Sequence, residues 1–173
     1  MRFIQGNRMK QQRPSLHDSY DILESPLGPL YLIFTSHVLT GISFSRPSNF
    51  LLKHKEEMTH AKKELSRYFE KTLQEFTCKT AFMEGTEFEI KVWETLKEIP
   101  YGETRTYKWL AEKIDKPHAF RAVGNALGKN PIPIIFPCHR VIETDGSIGG
   151  YSAGSDIKRR LLEIEYYTKL SKN

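Results

Sequence analysis

A cysteine stands beside a histidine in the stretch Pro137-Cys138-His139-Arg140, which closes the apolar run at residues 132–136. A free thiol has a pKa near 8.5, so a nucleophilic cysteine at neutral pH needs a neighbouring base or a positive field. His139 is the candidate base. Adjacent side chains on a strand point to opposite faces, so a contact between these two requires a turn or a bridging water. The alternative is that Cys138 is an inert buried side chain, as single intracellular cysteines often are.

A third group, on the last predicted helix, favours the catalytic interpretation. Ser155 is the predicted N-cap of this helix, and three apolar residues follow at helical spacing: Ile157, Leu161 and Ile164. Glu165 falls on the same stripe, and a buried carboxylate needs a partner. His139 fits, because a carboxylate that accepts a proton from one imidazole nitrogen leaves the other nitrogen to act as a base. The alternatives for Glu165 are an arginine or backbone amides at a domain contact.

Composition and charge narrow the class of protein. The 173 residues are 39% hydrophobic, enough for one or two domains. Residues 1–14 lack the apolar core of a signal peptide, and no segment approaches the roughly 18 apolar residues of a membrane span, so we expect a cytoplasmic protein. Cys78 and Cys138 are far apart and neither has a second cysteine at metal-ligand spacing, so we expect no disulfide, no metal and no cofactor.

The net charge of +5 is concentrated towards the C-terminus, where residues 100–173 carry twelve basic and eight acidic side chains. Clustered positive charge is typical of proteins with a polyanionic partner. The alternative is a solvated surface.

The pattern of the chain predicts a tail and two domains. They are a basic flexible tail (1–16), an N-terminal α/β domain (17–80) and a mainly α C-terminal domain (86–170). The elements predicted in the N-terminal domain are strands at 30–34 and 38–45 with a turn near Ser36 and His37, and an amphipathic helix at 56–76. Residues 77–85 are the predicted linker. Nothing in this half indicates catalysis.

The second half predicts three helices before the cysteine. Thr86 and Glu89 form a capping box for the first, which stops at Pro100. The second has its apolar face at Tyr107, Leu110, Ala111 and Ile114. The third opens at Pro117 and ends near Gly128, with inward positions at Ala119, Ala122, Val123, Ala126 and Leu127. A tight turn at residues 115–116 makes the second and third helices a candidate helix-turn-helix, a pattern that non-binding helical hairpins share.

The outward face of the third helix has little side-chain bulk. Its residues are Arg121, Gly124, Asn125 and Gly128. Glycine weakens a helix by about 1 kcal/mol relative to alanine, so two exposed glycines indicate close approach of another body. Basic residues lie nearby in the sequence (Arg105, Lys108 and Lys129), and nucleic acid is therefore the expected partner.

These residues together resemble a known family, the methylated-DNA--protein-cysteine methyltransferases or O6-alkylguanine-DNA alkyltransferases. The resemblance spans about residues 86–165, and its motifs are Gly85-Thr-Glu-Phe, Val92-Trp93, Ile99-Pro-Tyr-Gly-Glu-Thr, Arg121-Ala-Val-Gly, Asn130-Pro, Pro137-Cys-His-Arg-Val, Gly150-Tyr-Ser and Leu161-Leu-Glu-Ile-Glu. The first half matches more loosely, through Ser25-Pro-Leu-Gly-Pro-Leu. The resemblance implies a ribonuclease-H-like N-terminal domain and a winged-helix-like C-terminal domain that contains the helix-turn-helix.

The resemblance also implies a reaction. Cys138 would take the alkyl group from O6 of guanine in duplex DNA, with O4-alkylthymine as a second candidate substrate, and the protein would be consumed. His139, through a water, and Glu165 would form the relay, and Asn130 would order the turn that presents the thiol. The partner implied is double-stranded DNA that contains O6-alkylguanine, and we expect a monomer.

Base flipping follows from the same resemblance, because the target base lies inside the duplex. Arg121 would fill the space left in the stack, and Tyr107 would help to rotate the nucleotide. The DNA contacts implied are Arg121, Ala122, Gly124, Asn125 and Arg140, from a helix in the minor groove. The guanine pocket implied consists of Tyr107, Tyr151, Ser152, Ala153 and Gly154, with Lys158 beside it.

Two positions depart from the common pattern of the family. Phe120 stands where alanine is frequent, and Ala153 stands where many members have glycine, so both bear on substrate range.

Two other classes of protein would have different properties. A binding-only alkyltransferase-like protein would lack the cysteine that this chain retains, and a cysteine hydrolase would turn over on an acyl group and ignore DNA.

Overall fold

The computed structural model describes residues 18–47 and 59–171, so the predicted tail at 1–16 lies outside the described residues. The N-terminal elements are β1 (Asp18–Ser25), β2 (Gly28–Thr35), β3 (Val38–Ser43) and α1 (His60–Phe69). The C-terminal elements are α2 (Glu87–Thr95), β4 (Arg105–Thr106), α3 (Tyr107–Lys113), α4 (Phe120–Gly128), β5 (Val141–Ile142) and α5 (Ser155–Leu170). The expected order, an α/β part followed by a mainly α part, is confirmed.

The N-terminal sheet is antiparallel with the order β1-β2-β3. The predicted turn between β2 and β3 is confirmed, since Ser36 and His37 have φ values of 49° and 68°. Two left-handed residues give a hairpin turn whose twist matches that of the strands. Strand β1 was not predicted, because its inward face includes a carboxylate. Asp21 is buried there and pairs with Lys62 of α1 at 2.9 Å, which interrupts the apolar alternation.

Helix α1 is shorter than the predicted helix at 56–76, of which residues 56–58 lie outside the described part. Thr59 is its N-cap and accepts a hydrogen bond from the Lys62 amide at 3.2 Å. The helix ends at Phe69, and Lys71 follows with a φ of 63°. Phe76 extended the apolar periodicity, but it lies in the loop and packs on the ring of Tyr68 at 5.6 Å between centroids. The aromatic stripe therefore records a shared cluster and not one continuous helix.

The predicted linker at 77–85 is packed against both parts of the chain. Its backbone bonds to Leu39 of β3, which donates to the Lys79 carbonyl and accepts from the Ala81 amide at 3.3 and 3.1 Å. The Phe82 ring lies 5.0 Å from that of Trp93 and 4.7 Å from that of Phe136. The segment thus joins the N-terminal sheet to the core that supports the cysteine loop.

Helix α2 begins with the predicted capping box. The Thr86 hydroxyl accepts from the Glu89 amide at 3.2 Å, and the Glu89 carboxylate accepts from the Thr86 amide at 2.9 Å. Trp93 on this helix is buried, and its indole Nε1 donates to the Ala126 carbonyl of α4 at 2.7 Å. Helix α2 therefore orients α4 directly.

The candidate helix-turn-helix consists of α3 and α4, which contact each other across a turn in which Asp115 has a φ of 62°. The third helix does not open at Pro117 as expected. It begins at Phe120, with Ala119 as its N-cap residue. Ala122 is exposed and not inward, because it lies about 90° around the helix from the buried stripe of Val123, Ala126 and Leu127, on the side where the resemblance placed a DNA contact.

Helix α5 carries the predicted apolar stripe, with Leu161 and Glu165 fully buried. Its N-cap is Gly154 and not Ser155, which is already the first helical residue. Gly154 has a φ of 100°, a left-handed conformation that glycine adopts without strain. Within the described residues, no helix is long and apolar enough to cross a membrane.

Candidate active site

The cysteine lies on a short turn in the protein interior. Cys138–Arg140 form a single 3₁₀ turn that starts after Pro137. This is the turn that a contact between neighbouring cysteine and histidine side chains requires. Cys138 is 4% exposed and His139 is fully buried, while the apolar residues at 132–136 anchor the loop in the core.

Asn130 connects the two ends of the loop that precedes the turn. Its side-chain Nδ2 donates to the Phe136 carbonyl at 2.8 Å, and its Oδ1 accepts from the Ile132 amide at 3.0 Å. Because both bonds come from one planar amide, the loop has little freedom next to Cys138. The structure thus places Asn130 where it orders the turn.

Glu165 reaches this turn from α5 and accepts hydrogen bonds from several donors. Its Oε1 accepts from His139 Nε2 at 2.7 Å, from the Tyr68 hydroxyl at 2.8 Å and from Arg140 Nη2 at 3.0 Å. Its Oε2 accepts from Arg140 Nε at 2.9 Å and from the Gly102 amide at 3.0 Å. Each alternative that the sequence left open for Glu165 is therefore realised: histidine, arginine and a backbone amide.

Gly102 reaches the carboxylate because it has no side chain. Its φ is 72°, in the left-handed region, and a Cβ at this position would lie 3.3 Å from the Glu165 carbonyl oxygen and 3.1 Å from Lys169. Such a contact is tighter than a Cβ normally makes, so a larger residue would push the turn away from α5. The glycine of the predicted Pro-Tyr-Gly stretch therefore supports the site through its backbone.

The carboxylate determines the state of the histidine. An ionised carboxylate only accepts hydrogen bonds, so Nε2 of His139 carries the hydrogen and Nδ1 carries the lone pair. Nδ1 is buried and has no hydrogen-bond partner among the described residues. Its lone pair is the free acceptor that a base needs.

The pKa values of the three groups follow from burial and charge. Burial lowers the pKa of His139, although Glu165 opposes this effect, so the imidazole is neutral near pH 7. Burial alone would raise the pKa of Glu165, but His139 and Arg140 hold it well below its usual range. Burial raises the pKa of the Cys138 thiol, and nearby Asn130 and Tyr151 offset this only in part. The resting cysteine is therefore a thiol beside a neutral base.

Arg140 does not fit its predicted role as a DNA contact. It is 6% exposed, two of its nitrogens donate to Glu165, and Nη1 donates to the Ile99 carbonyl at 2.7 Å. A buried carboxylate needs a buried counter-charge, and the 3₁₀ turn directs this arginine inward to provide it. The guanidinium uses three of its five N–H donors in the interior, and its burial keeps it from reaching a phosphate.

A cavity of about 130 Å³ leads to Cys138. Its lining residues are Tyr107, Gly124, Leu127, Gly128, Cys138, Gly150 and Tyr151. The predicted pocket residues Tyr107 and Tyr151 are thus placed at the cysteine. Gly124 and Gly128, predicted to face DNA, also line this cavity, which joins the outer face of α4 to the thiol.

Other predicted pocket residues lie elsewhere. Ser152 and Ala153 line a separate cavity of about 360 Å³ beside the end of β3. Gly154 caps α5, and its amide donates to the Tyr151 carbonyl at 3.0 Å. Lys158 is buried, and its Nζ donates to the carbonyls of Val141 and Gly150 at 2.7 and 3.2 Å. The lysine therefore holds the wall of the cysteine cavity in place from behind.

The exposed face of α4 leaves one cation unpaired. Arg121 is exposed and makes no hydrogen bond or ion pair with any described residue, and Ala122, Asn125 and Gly128 are exposed beside it. The basic residues nearby have acidic neighbours: Lys129 pairs with Glu89 at 2.6 Å, Arg105 with Glu103 at 2.9 Å and Lys108 with Glu112 at 3.9 Å. Arg121 is therefore the residue of this face that is most available to a partner.

Sequence reasoning missed Tyr68 and Gly102, which both contact Glu165. Tyr68 belongs to the aromatic stripe of α1, where a hydroxyl and a plain ring give the same periodicity. Gly102 acts through its amide, so its residue type indicates only a turn. No local pattern could have assigned either residue to the carboxylate.

A cysteine next to a histidine–carboxylate pair, in a cavity that a helix-turn-helix lines, is the arrangement expected of a DNA-binding protein with a cysteine nucleophile. Two family models match the chain. Residues 87–167 match the DNA binding domain of 6-O-methylguanine DNA methyltransferase, and residues 19–82 match its ribonuclease-like domain.

Curated and solved relatives agree with these models. A methylated-DNA--protein-cysteine methyltransferase of Methanosarcina barkeri is 46% identical over 84% of this chain and 96% of the relative. The crystal structure of Mycobacterium tuberculosis OGT in complex with DNA has a TM-score of 0.80 and 41% identity, over 87% of this chain and 94% of that chain. The O6-methylguanine-DNA methyltransferase of Pyrococcus kodakaraensis has a TM-score of 0.53 at 26% identity, over 86% and 98%. The chain belongs to the family of methylated-DNA--protein-cysteine methyltransferases, which are alkyltransferases of DNA repair.

Proposed function

We propose that Cys138 is the residue that accepts the alkyl group from O6-alkylguanine in double-stranded DNA. The observation that carries this proposal is the position of Cys138 in a cavity lined by α4, on the same 3₁₀ turn as His139, whose Nε2 bonds to Glu165. Tyr107 and Tyr151 line the same cavity and flank the thiol. A flipped base that enters there brings its O6 substituent towards sulfur.

The reaction begins with deprotonation of the thiol. His139 takes the proton at Nδ1 through a bridging water, and Glu165 stabilises the imidazolium that forms. The thiolate attacks the alkyl carbon, the S–C bond forms as the C–O6 bond breaks, and guanine leaves with the bonding electron pair. The proton held by His139 returns to the guanine through water. The products are unmodified guanine and a thioether, whose sulfur is a poor leaving group, so each protein molecule reacts once.

Access to the base requires flipping, which costs a few kcal/mol. We propose that α4 enters the minor groove and that Arg121 occupies the gap in the stack. The exposed and unpaired guanidinium supports this role. Gly124 and Gly128 allow the backbone of α4 to approach DNA at the mouth of the cavity, and Tyr107 lies on the path of the rotating nucleotide.

The remaining contacts of the base are proposed for the loop before α5. The backbone of Ser152, Ala153 and Gly154 would face the base beyond the cavity wall, with Ala122 and Asn125 against the DNA strand. Lys158 would act from behind the wall, through the Gly150 carbonyl. Arg140 has no place among these contacts because its guanidinium is committed to Glu165.

The finer organisation is proposed on the same basis. The matched ribonuclease-like and DNA-binding models support a ribonuclease-H-like domain at 17–80 and a winged-helix-like domain at 86–170. We propose that the protein acts as a monomer, since Cys138, the relay and α4 all belong to one chain. A cytoplasmic location fits the chemistry, because the thiol must stay reduced to react.

Peptide mass analysis after incubation with an O6-methylguanine duplex tests the proposal. One methyl group should appear on the peptide that contains Cys138, with at most one group per protein. Cys138→Ala should abolish transfer and retain DNA binding. Cys78→Ser is the matched control, because burial and Glu64 raise the pKa of the Cys78 thiol to about 12 and keep it unreactive. Label on Cys78, or repeated turnover as expected of a hydrolase, would disprove the assignment.

A further inference from the structure

A side chain from the N-terminal part of the chain contacts the centre of the relay. Tyr68 on α1 donates its hydroxyl hydrogen to Oε1 of Glu165 at 2.8 Å. The same oxygen accepts from Nε2 of His139 at 2.7 Å. We infer that Tyr68 is a positioning residue for alkyl transfer, whose phenol fixes the Glu165 carboxylate and moderates the basicity of His139. This inference rests on the proposed function, and it gives the N-terminal domain a part in the chemistry.

Tyr68 acts only as a donor in this contact. It is fully buried, and burial together with the neighbouring carboxylate raises its pKa well above the ordinary value, so the phenol stays neutral. Three aromatic rings surround it, with centroid distances of 5.2, 5.6 and 5.9 Å to Phe69, Phe76 and Tyr101. This packing holds the hydroxyl in one position, so the bond to Glu165 depends on the placement of α1 against α5.

The hydrogen bond has a predictable effect on the histidine. Each donor to Oε1 withdraws part of the negative charge that the carboxylate offers to the imidazole. Without the phenol, Oε1 would interact more strongly with the Nε2 hydrogen and stabilise the imidazolium. His139 would then be protonated up to a higher pH, and a protonated imidazole cannot accept the thiol proton. The carboxylate would also lose one of the contacts that orient it.

Tyr101 provides a matched control for the loss of a buried hydroxyl. Its ring belongs to the same cluster and lies over the guanidinium of Arg140 at 5.6 Å. Its hydroxyl, however, lies beside the Thr168 side chain and makes no hydrogen bond to Glu165. Tyr68→Phe and Tyr101→Phe therefore remove the same group from adjacent rings, and only the first removes a donor to Glu165.

The test compares the full-length wild type, Tyr68→Phe and Tyr101→Phe. Single-turnover transfer from an O6-methylguanine duplex is followed as a function of pH, and the His139 ring is titrated by NMR without DNA. For Tyr68→Phe we expect the plateau rate to fall about tenfold, a fraction of what a general base contributes. The acidic limb of the rate profile and the His139 titration should both move to higher pH, while the Kd for DNA stays the same. Tyr101→Phe should match the wild type in all four measurements.

Two results would overturn the inference. One is a Tyr68→Phe protein whose rate profile and His139 titration coincide with those of the wild type. The other is an equal loss of rate in both variants with no movement of either acidic limb, which would assign the loss to packing. Failure of the proposed function is a separate result, since the wild type would then carry no alkyl group on Cys138 while the His139 titration would still report the effect of Tyr68.

Discussion

Glu165→Gln is the substitution that tests the organisation of the site most directly. The glutamine side chain has nearly the same shape, so the change removes the negative charge with little change in volume. Its amide has one accepting oxygen and one donating nitrogen, whereas the carboxylate accepts on both sides from His139, Tyr68, Arg140 and the Gly102 amide. The amide nitrogen of the glutamine must therefore point at groups that themselves donate hydrogen bonds. Arg140 also loses its counter-charge in the interior.

The expected cost is large. Removal of one partner of a buried ion pair destabilises a protein by about 3–5 kcal/mol, because the other charge stays buried and unpaired. A typical domain has about 5–15 kcal/mol of stability in total. For a chain of this length, the loss corresponds to a fall in Tm of roughly 6–20 °C. Urea unfolding at pH 7, followed by intrinsic fluorescence, measures the change in the free energy of unfolding.

The difference between the two proteins should depend on pH with a definite sign. The pKa of Glu165 is depressed in the folded state, so its contribution is fully present above the unfolded value of about 4.3 and is lost as the pH falls towards the folded value. The wild type should therefore approach the variant below about pH 4. Glu163→Gln is the control, since Glu163 lies exposed on the same helix and should leave the midpoint unchanged. Equal midpoints for wild type and Glu165→Gln at pH 7, or a difference that grows on acidification, would refute the reasoning.

Two further predictions concern DNA and the thiol. Arg121→Ala should reduce repair of a paired O6-methylguanine duplex far more than reaction with free O6-benzylguanine, because only the duplex has a gap in its base stack to fill. A mismatched pair that opens easily should recover part of the rate. Rate constants for the three substrates measure this, and equal losses on all three would assign Arg121 to the fold. Haloacetamide should react slowly with Cys138 at pH 7 and faster as the pH rises, because burial raises its pKa and the resting base leaves the proton on sulfur. His139→Ala should then slow transfer from DNA without a comparable change in the rate of haloacetamide labelling. If Cys138 of the wild type is labelled rapidly at every pH, the thiolate is already formed and the reasoning is wrong.

Much of the site could be predicted from local sequence. Several features depend only on residues that are close together in the chain. They are the capping box at Thr86, the helix-turn-helix and the helical spacing that turns Glu165 inward. Periodicity determines which face of a helix is buried, so it places Glu165 in the core without a structure. The motif around Cys138 identifies the family, and with it the expected partner of His139.

Only the tertiary structure showed that histidine, arginine and a backbone amide all meet the carboxylate, and that Tyr68 joins them. Periodicity indicates that a residue is buried but not what it touches, and the contacts from Tyr68 and Gly102 come from segments 97 and 63 residues away. The same limit applies to Arg140, which the resemblance assigned to DNA: its residue type does not show that the guanidinium is buried against Glu165. Aromatic spacing likewise made the predicted helix longer than α1, because Phe76 packs on the ring of Tyr68 from the loop and does not belong to the helix. Local pattern thus indicates the candidate nucleophile and its candidate base, whereas the hydrogen bonds that fix their protonation states depend on how the two halves of the chain pack together.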